Sequence, residues 1–161
     1  MVRKTQKADT KATPKTDDTK VAAEQAGTTS DSGKTILLTG RVKKLSPKSD
    51  SHIQYELAEG QEGKRYLRLS GNESGGLFSR EWLALEPLLT LLEGTEGKPF
   101  KSSLLKPLFK GGSSNNAGFL AAVLRDTGLL TAAGQSIFIH ELSKEYQTNK
   151  TRLLDTQSPS T

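Results

Sequence analysis

The chain has 161 residues, 33% of them hydrophobic, and carries 23 Lys and Arg against 18 Asp and Glu, a formal charge of +5. That length holds one ordinary domain with tails, and the surplus of cations favours a polyanionic partner. Cysteine is absent, which excludes disulfide frameworks, thiol nucleophiles and cysteine-based zinc sites.

Residues 1–33 have no aromatic residue, and after Met1 their large aliphatics are Val2 and Val21. Such a segment cannot bury enough apolar area to offset the entropy of ordering it, so a disordered tail is predicted. The tail is basic: Arg3, Lys4, Lys7, Lys11, Lys15 and Lys20 stand against Asp9, Asp17 and Asp18. It could add loose phosphate affinity or simply solubilise the chain. No apolar stretch follows Met1, so no signal peptide is expected. Apolar runs such as residues 88–92 are too short to cross a bilayer, so no membrane partner is expected either. A cytoplasmic protein is the expectation, nucleoid-associated if bacterial.

Residues 34–72 read as an antiparallel β-sheet subdomain. A first strand at 35–42 (TILLTGRV) is followed by turn chemistry at 47–51. A second, at 52–58 (HIQYELA), alternates, with Ile53, Tyr55 and Leu57 on one face. A third, at 65–69 (RYLRL), follows a glycine-containing turn, with Tyr66 and one of Leu67 or Leu69 directed inward. Three strands with one wet face result.

Residues 77–146 read as a helical unit. Ser79 is a good N-cap for a helix from Arg80, in which Trp82, Leu85, Leu88, Leu89 and Leu92 recur at helical spacing. Pro87 kinks that helix or starts a second one, and Gly94 closes it. Ser102 or Ser103 caps a short helix with Pro107 near its first turn. A third helix runs from the cluster at 113–116 (SSNN) to about Asp126 or Thr127, with Gly128 as its stop. A strand is expected at 136–142 (SIFIHEL), and residues 147–161 read as a second disordered tail. The predicted fold class is α+β: a small antiparallel sheet, then a three-helix unit, behind a disordered N-terminal tail.

The order long helix, short helix, glycine-rich turn, third helix, turn and strand resembles the winged-helix, helix-turn-helix class of DNA-binding domains across residues 79–142. The resemblance is carried by Phe119, Leu120, Val123 and Leu124, by Gly128, Leu129 and Leu130, and by Ile137, Phe138 and Ile139. It implies a third helix lying in the major groove and a hairpin touching the backbone. The wing departs from the pattern: its first strand, at 129–131, is very short, and no cation lies between Arg125 and Lys144.

On the third helix, Asn116, Phe119, Leu120, Val123 and Thr127 share one side, which should pack inward. Ser114, Gly118, Ala121, Ala122 and Arg125 form a small, smooth opposite side suited to a groove wall, or to a close helix contact. Residues 97–125 contain Lys98, Lys101, Lys106, Lys110 and Arg125 and no acid. The candidate DNA contacts are those five cations with Ser114, Asn115 and Asn116, where an asparagine could pair with adenine. Duplex DNA is therefore the expected partner of a small non-enzymatic accessory or regulatory protein.

Two other readings stand beside it. A winged-helix scaffold can serve as a protein adaptor, and the sheet could hold a protein partner or a second copy. The sheet also carries Arg41, Lys43, Lys44, Lys48, Lys64, Arg65 and Arg68 with Tyr55 and Tyr66, which could bind single strands if both rings faced outward. Catalysis finds no support: no HExxH, GxSxG or P-loop pattern occurs, and His52 and His140 fall on separate strands. No cofactor, metal or catalytic residue is predicted.

Overall fold

In the computed structural model the described residues are 33–157. The tail expected at residues 1–33 falls, apart from Gly33, outside them, as do residues 158–161. The described part is mixed α and β, with two antiparallel sheets and three α-helices.

The first sheet has four strands, β1 (Thr35–Lys43), β2 (His52–Glu59), β3 (Arg65–Asn72) and β4 (Leu83–Ala84), in the order β1-β2-β3-β4. Alternation in β2 buries Ile53, Tyr55 and Leu57 as their spacing predicts. On β3 the inward residues are Leu67 and Leu69, so Tyr66 takes the opposite face from Tyr55. Gly40 lies across from Tyr55; a Cβ there would sit 2.2 Å from the Tyr55 ring, so the ring occupies space only glycine leaves.

The fourth strand corrects the sequence reading. Residues 80–84 are not helical, and α1 covers Leu85–Glu93. Pro87 explains the boundary. Its ring would collide with the carbonyl four residues back, at Leu83, so no helix can pass it from the N-terminal side. Leu83 pairs with Leu67 in the sheet instead, and Pro87 sits in the first turn of α1, where a missing N–H costs nothing. Ser79 does not cap α1; its hydroxyl donates to the Glu81 carboxylate at 2.5 Å.

The second expected helix is a 3-10 segment, Ser102–Leu108, with Pro107 near its end rather than in its first turn. Pro107 has no N–H to donate and crowds the Ser103 carbonyl, which bars an α-turn. Three residues per turn put Ser102 and Leu105 inward and Ser103 and Lys106 outward.

A two-residue strand unforeseen in the sequence, β5 (Phe100–Lys101), precedes that segment. After it come α2 (Asn116–Asp126), β6 (Leu130–Ala132), β7 (Ile139–Leu142) and α3 (Tyr146–Asp155). The three short strands form a second sheet of order β5-β7-β6. Helix α2 ends as its glycine predicts. Gly128 takes φ +86°, its N–H donates to the Arg125 carbonyl, and the Leu129 N–H reaches back to Leu124 at 3.0 Å. The strand expected from Ser136 begins only at Ile139.

Helix α3 corrects the tail expected at 147–161, at least through Asp155. It buries Tyr146, Asn149 and Leu153 on one face. Asn149 Nδ2 donates to the Gly128 carbonyl at 2.8 Å, and Arg152 donates to the Thr127 carbonyl at 2.9 Å. Residues from Thr35 on share a single core, in which Ile53, Leu57, Leu88, Leu92, Leu105, Leu120 and Leu124 are fully buried. Each such side chain contributes roughly 1.5–3 kcal/mol.

Candidate nucleic-acid interface

The eight residues singled out from the sequence divide into three groups. The first is α2 itself. Eight of its residues are buried, Ala121 and Ala122 among them at 0% and 1% exposure. Helix α2 packs on the 3-10 segment, on β6 and on the first two strands, so it is covered on both sides. The middle of its small face, at Ala121 and Ala122, is therefore a close internal contact, while Ser114 and Gly118 at its N-terminal end border an open cleft. A helix enclosed in this way cannot lie in a major groove, and that expectation is corrected.

Asn116 and Arg125 fall with it. Asn116 is 2% exposed; its Oδ1 accepts from the Ser79 N–H at 2.8 Å and its Nδ2 reaches the Gly111 carbonyl. Arg125 turns inward, donating from Nε to His140 Nδ1 at 3.1 Å and from its terminal nitrogen to the carbonyls of Ile137 and Ile139. Both are internal joints, not DNA contacts.

The Arg125 joint also defines a Ser–His pair. His140 is wholly buried, and its Nε2 lies 2.6 Å from Ser102 Oγ. Arginine can only donate, so Nδ1 must accept and Nε2 must carry the proton. Nε2–H then donates to Ser102, the reverse of what a general base for a serine nucleophile needs. Burial, with the Arg125 charge beside it, pushes His140 down to about 4. The pair fastens β7 to the 3-10 segment. Among the described residues no group of three or more His, Asp or Glu could hold a metal ion.

The second group is the lysines. Lys98 precedes β5, Lys101 sits on it, Lys106 is on the outer side of the 3-10 segment and Lys110 follows; all four side chains are exposed. Lys98, Lys101 and Lys106 have no carboxylate within ion-pair distance among the described residues. The strand cations of the first sheet contrast with them. Arg41 pairs with Glu73 at 2.7 Å, Lys43 with Asp50 at 3.6 Å, Arg65 with Glu59 at 3.4 Å and Arg68 with Glu56 at 2.8 Å. Lys110 is intermediate: its backbone N–H and that of Gly111 donate to the Glu81 carboxylate at 2.9 Å, and its charge acts on that carboxylate. Burial pushes Glu81 up, but these donors and the Ser79 hydroxyl outweigh it and hold the carboxyl below its usual range.

The third group, Ser114 and Asn115, lines a cleft of about 520 Å³ at the start of α2. Asn115 Nδ2 and Ser113 Oγ both donate to the Leu77 carbonyl, at 2.8 and 2.9 Å, tying the strap before β4 to the helix. The opposite wall is the β1–β2 turn with Lys44, Leu45, Ser46 and Ser49, and the floor includes Phe119. Phe138, 48% exposed, completes the rim. Lys44 Nζ donates to the Ser74 hydroxyl and lies 4.9 Å above the Phe119 ring.

Nothing in the sequence brings Lys44 and Phe138 together. The signal for Phe138 is an aromatic beside a serine-containing turn, which reads equally well as a strand. The single-strand reading through Tyr55 and Tyr66 is corrected: Tyr55 is 4% exposed, with its hydroxyl donating to Asp126 at 2.6 Å, and Tyr66 lies on the other face.

Among the described residues no helix is long and apolar enough to cross a membrane. Comparison with protein-family models, with curated proteins and with solved structures finds no match to the chain.

Proposed function

We propose that the protein is a non-enzymatic DNA-binding protein that grips the phosphate backbone of a duplex without a base-reading helix. The observation that carries this is the strip of Lys98, Lys101 and Lys106, exposed and without carboxylate partners, where Arg41, Lys43, Arg65 and Arg68 on the first sheet are all paired. Uncompensated lysines release counterions when they meet phosphates, which supplies sequence-independent affinity.

The C-terminal half is a winged-helix-like unit used as a scaffold. Its support is the order α1, 3-10 segment, α2 and hairpin, with the hairpin closing on β5. In this unit Lys98, Lys101 and Lys106, carried around β5 and on the 3-10 segment, and not the third helix, meet the ligand. A protein-docking role is the second reading, favoured by an apolar furrow between α1 and the 3-10 segment that holds Leu91, Pro107 and Leu108.

Gel-shift titration of a duplex at two salt concentrations distinguishes them. Binding at low salt that weakens at high salt, and that falls when Lys101→Glu and Lys106→Glu are combined, supports the backbone reading. No binding at low salt, or binding indifferent to the double substitution, leaves protein docking as the better account.

A further inference from the structure

We propose that the cleft at the start of α2 holds one unpaired nucleotide, so that the DNA this protein takes is a duplex with a single-stranded end. This rests on the backbone reading and names the form of DNA it serves. The cleft has the capacity of a small-ligand pocket, which runs from about 300 to 1,000 Å³. Its lining contains one cation, Lys44, and no carboxylate, and the rest of its polar surface is serine hydroxyls, asparagine amides and backbone. That chemistry favours a ligand that is anionic and rich in hydrogen-bonding groups.

The aromatic partner is Phe138. A half-exposed phenylalanine ring costs apolar exposure, and here its backbone is held rather than loose. The Phe138 N–H donates to Ser136 Oγ at 3.1 Å, and its carbonyl accepts from the Ser102 N–H at 3.0 Å. A ring carried on a held backbone at the rim of a cleft is a stacking platform that any base can use, because every base has a π-face. Lys44 faces it from the β1–β2 turn, already positioned above Phe119, to meet the nucleotide's phosphate.

Continuity with the lysine strip supplies the duplex. Lys101 pairs with Ile139, the residue after Phe138, so the backbone that carries the rim of the cleft is the direct neighbour of the backbone that carries Lys101. A duplex lying on Lys101 and Lys106 would present its unpaired end to Phe138.

The test compares fluorescence-anisotropy affinities of the full chain for a blunt duplex and for the same duplex with a three-nucleotide overhang. The expected result is roughly ten-fold tighter binding of the overhang, the scale of one stacked base. Phe138→Ala should abolish that preference and leave the blunt affinity unchanged. Gly118→Leu is an independent plug: a Cβ at Gly118 meets nothing within 4 Å, so the helix tolerates it while the cleft fills. It too should remove the preference. Equal affinity for the two duplexes, or a preference that survives both substitutions, overturns the nucleotide site while leaving backbone binding intact. Failure to bind either duplex at low salt overturns both.

Discussion

Arg125 and His140 are joined by a hydrogen bond that fixes the protonation of the ring, with Nε of the arginine donating to Nδ1 at 3.1 Å. Burial, and then the Arg125 charge, lower the His140 pKa from the ordinary 6.5 to about 4. The unfolded chain therefore binds a proton between those values that the folded chain refuses. Stability from this group is complete above pH 6.5 and is lost as pH falls toward 4, by up to roughly 3 kcal/mol. Urea unfolding at pH 7.5 and pH 4.5 should show the loss, and His140→Gln should lose less over the same interval. An identical loss in both would mean that other groups dominate acid sensitivity.

Tyr55 and Gly40 form a second coupled pair. Gly40→Ala forces a Cβ to within 2.2 Å of a ring that is 4% exposed and held by Asp126. It should cost about 1–3 kcal/mol, as overpacking does. Tyr55→Phe removes only the hydroxyl bond to Asp126 and should cost about 1 kcal/mol. Denaturant midpoints of the two variants give the order, and an equal or reversed order would mean that the ring can move.

Asn116 separates a structural joint from a base reader. Asn116→Ala leaves the Ser79 N–H without its acceptor and should cost about 1–3 kcal/mol in stability. The variant's relative affinities for duplexes of different sequence should match those of the wild type. A changed sequence preference with unchanged stability would restore the base-reading role.

Much of the architecture is legible in the residues, and the failures have physical causes. The alternation of Ile53, Tyr55 and Leu57 and the glycine stop at Gly128 follow from local rules, and both elements form where those rules put them. The start of α1 is ambiguous in the sequence because Trp82 continues the helical period of Leu85, Leu88, Leu89 and Leu92. Only the Pro87 ring and the tertiary pairing with Leu67 decide for a strand. The surroundings of α2 are hidden for a deeper reason. A row of Gly and Ala admits either a groove wall or another segment of the same chain, and composition cannot say which will arrive. Lys98, Lys101 and Lys106 stay outside as expected for cations, whereas Arg125 is long enough to reach carbonyls inside.

Helix α3 has a weak signature because two of its three buried residues, Tyr146 and Asn149, carry polar groups. Its docking makes a sharp comparison between neighbours. Leu153 is 6% exposed and Leu154 36%. Leu153→Ala should cost about 2–3 kcal/mol, and Leu154→Ala less than about 0.5. Thermal unfolding of the pair checks this; similar melting temperatures would mean that the helix is not docked through Leu153.

The uncompensated lysine strip is the centre of the proposed function, and the salt dependence of duplex binding measures it most directly. Neutralising one phosphate-bound cation should reduce the slope of log affinity against log salt by about 0.9. Combined Lys98→Gln, Lys101→Gln and Lys106→Gln should therefore flatten the wild-type slope by roughly 2–3. A slope unchanged by the triple substitution, in a variant that still binds and remains folded, would contradict backbone binding through these lysines.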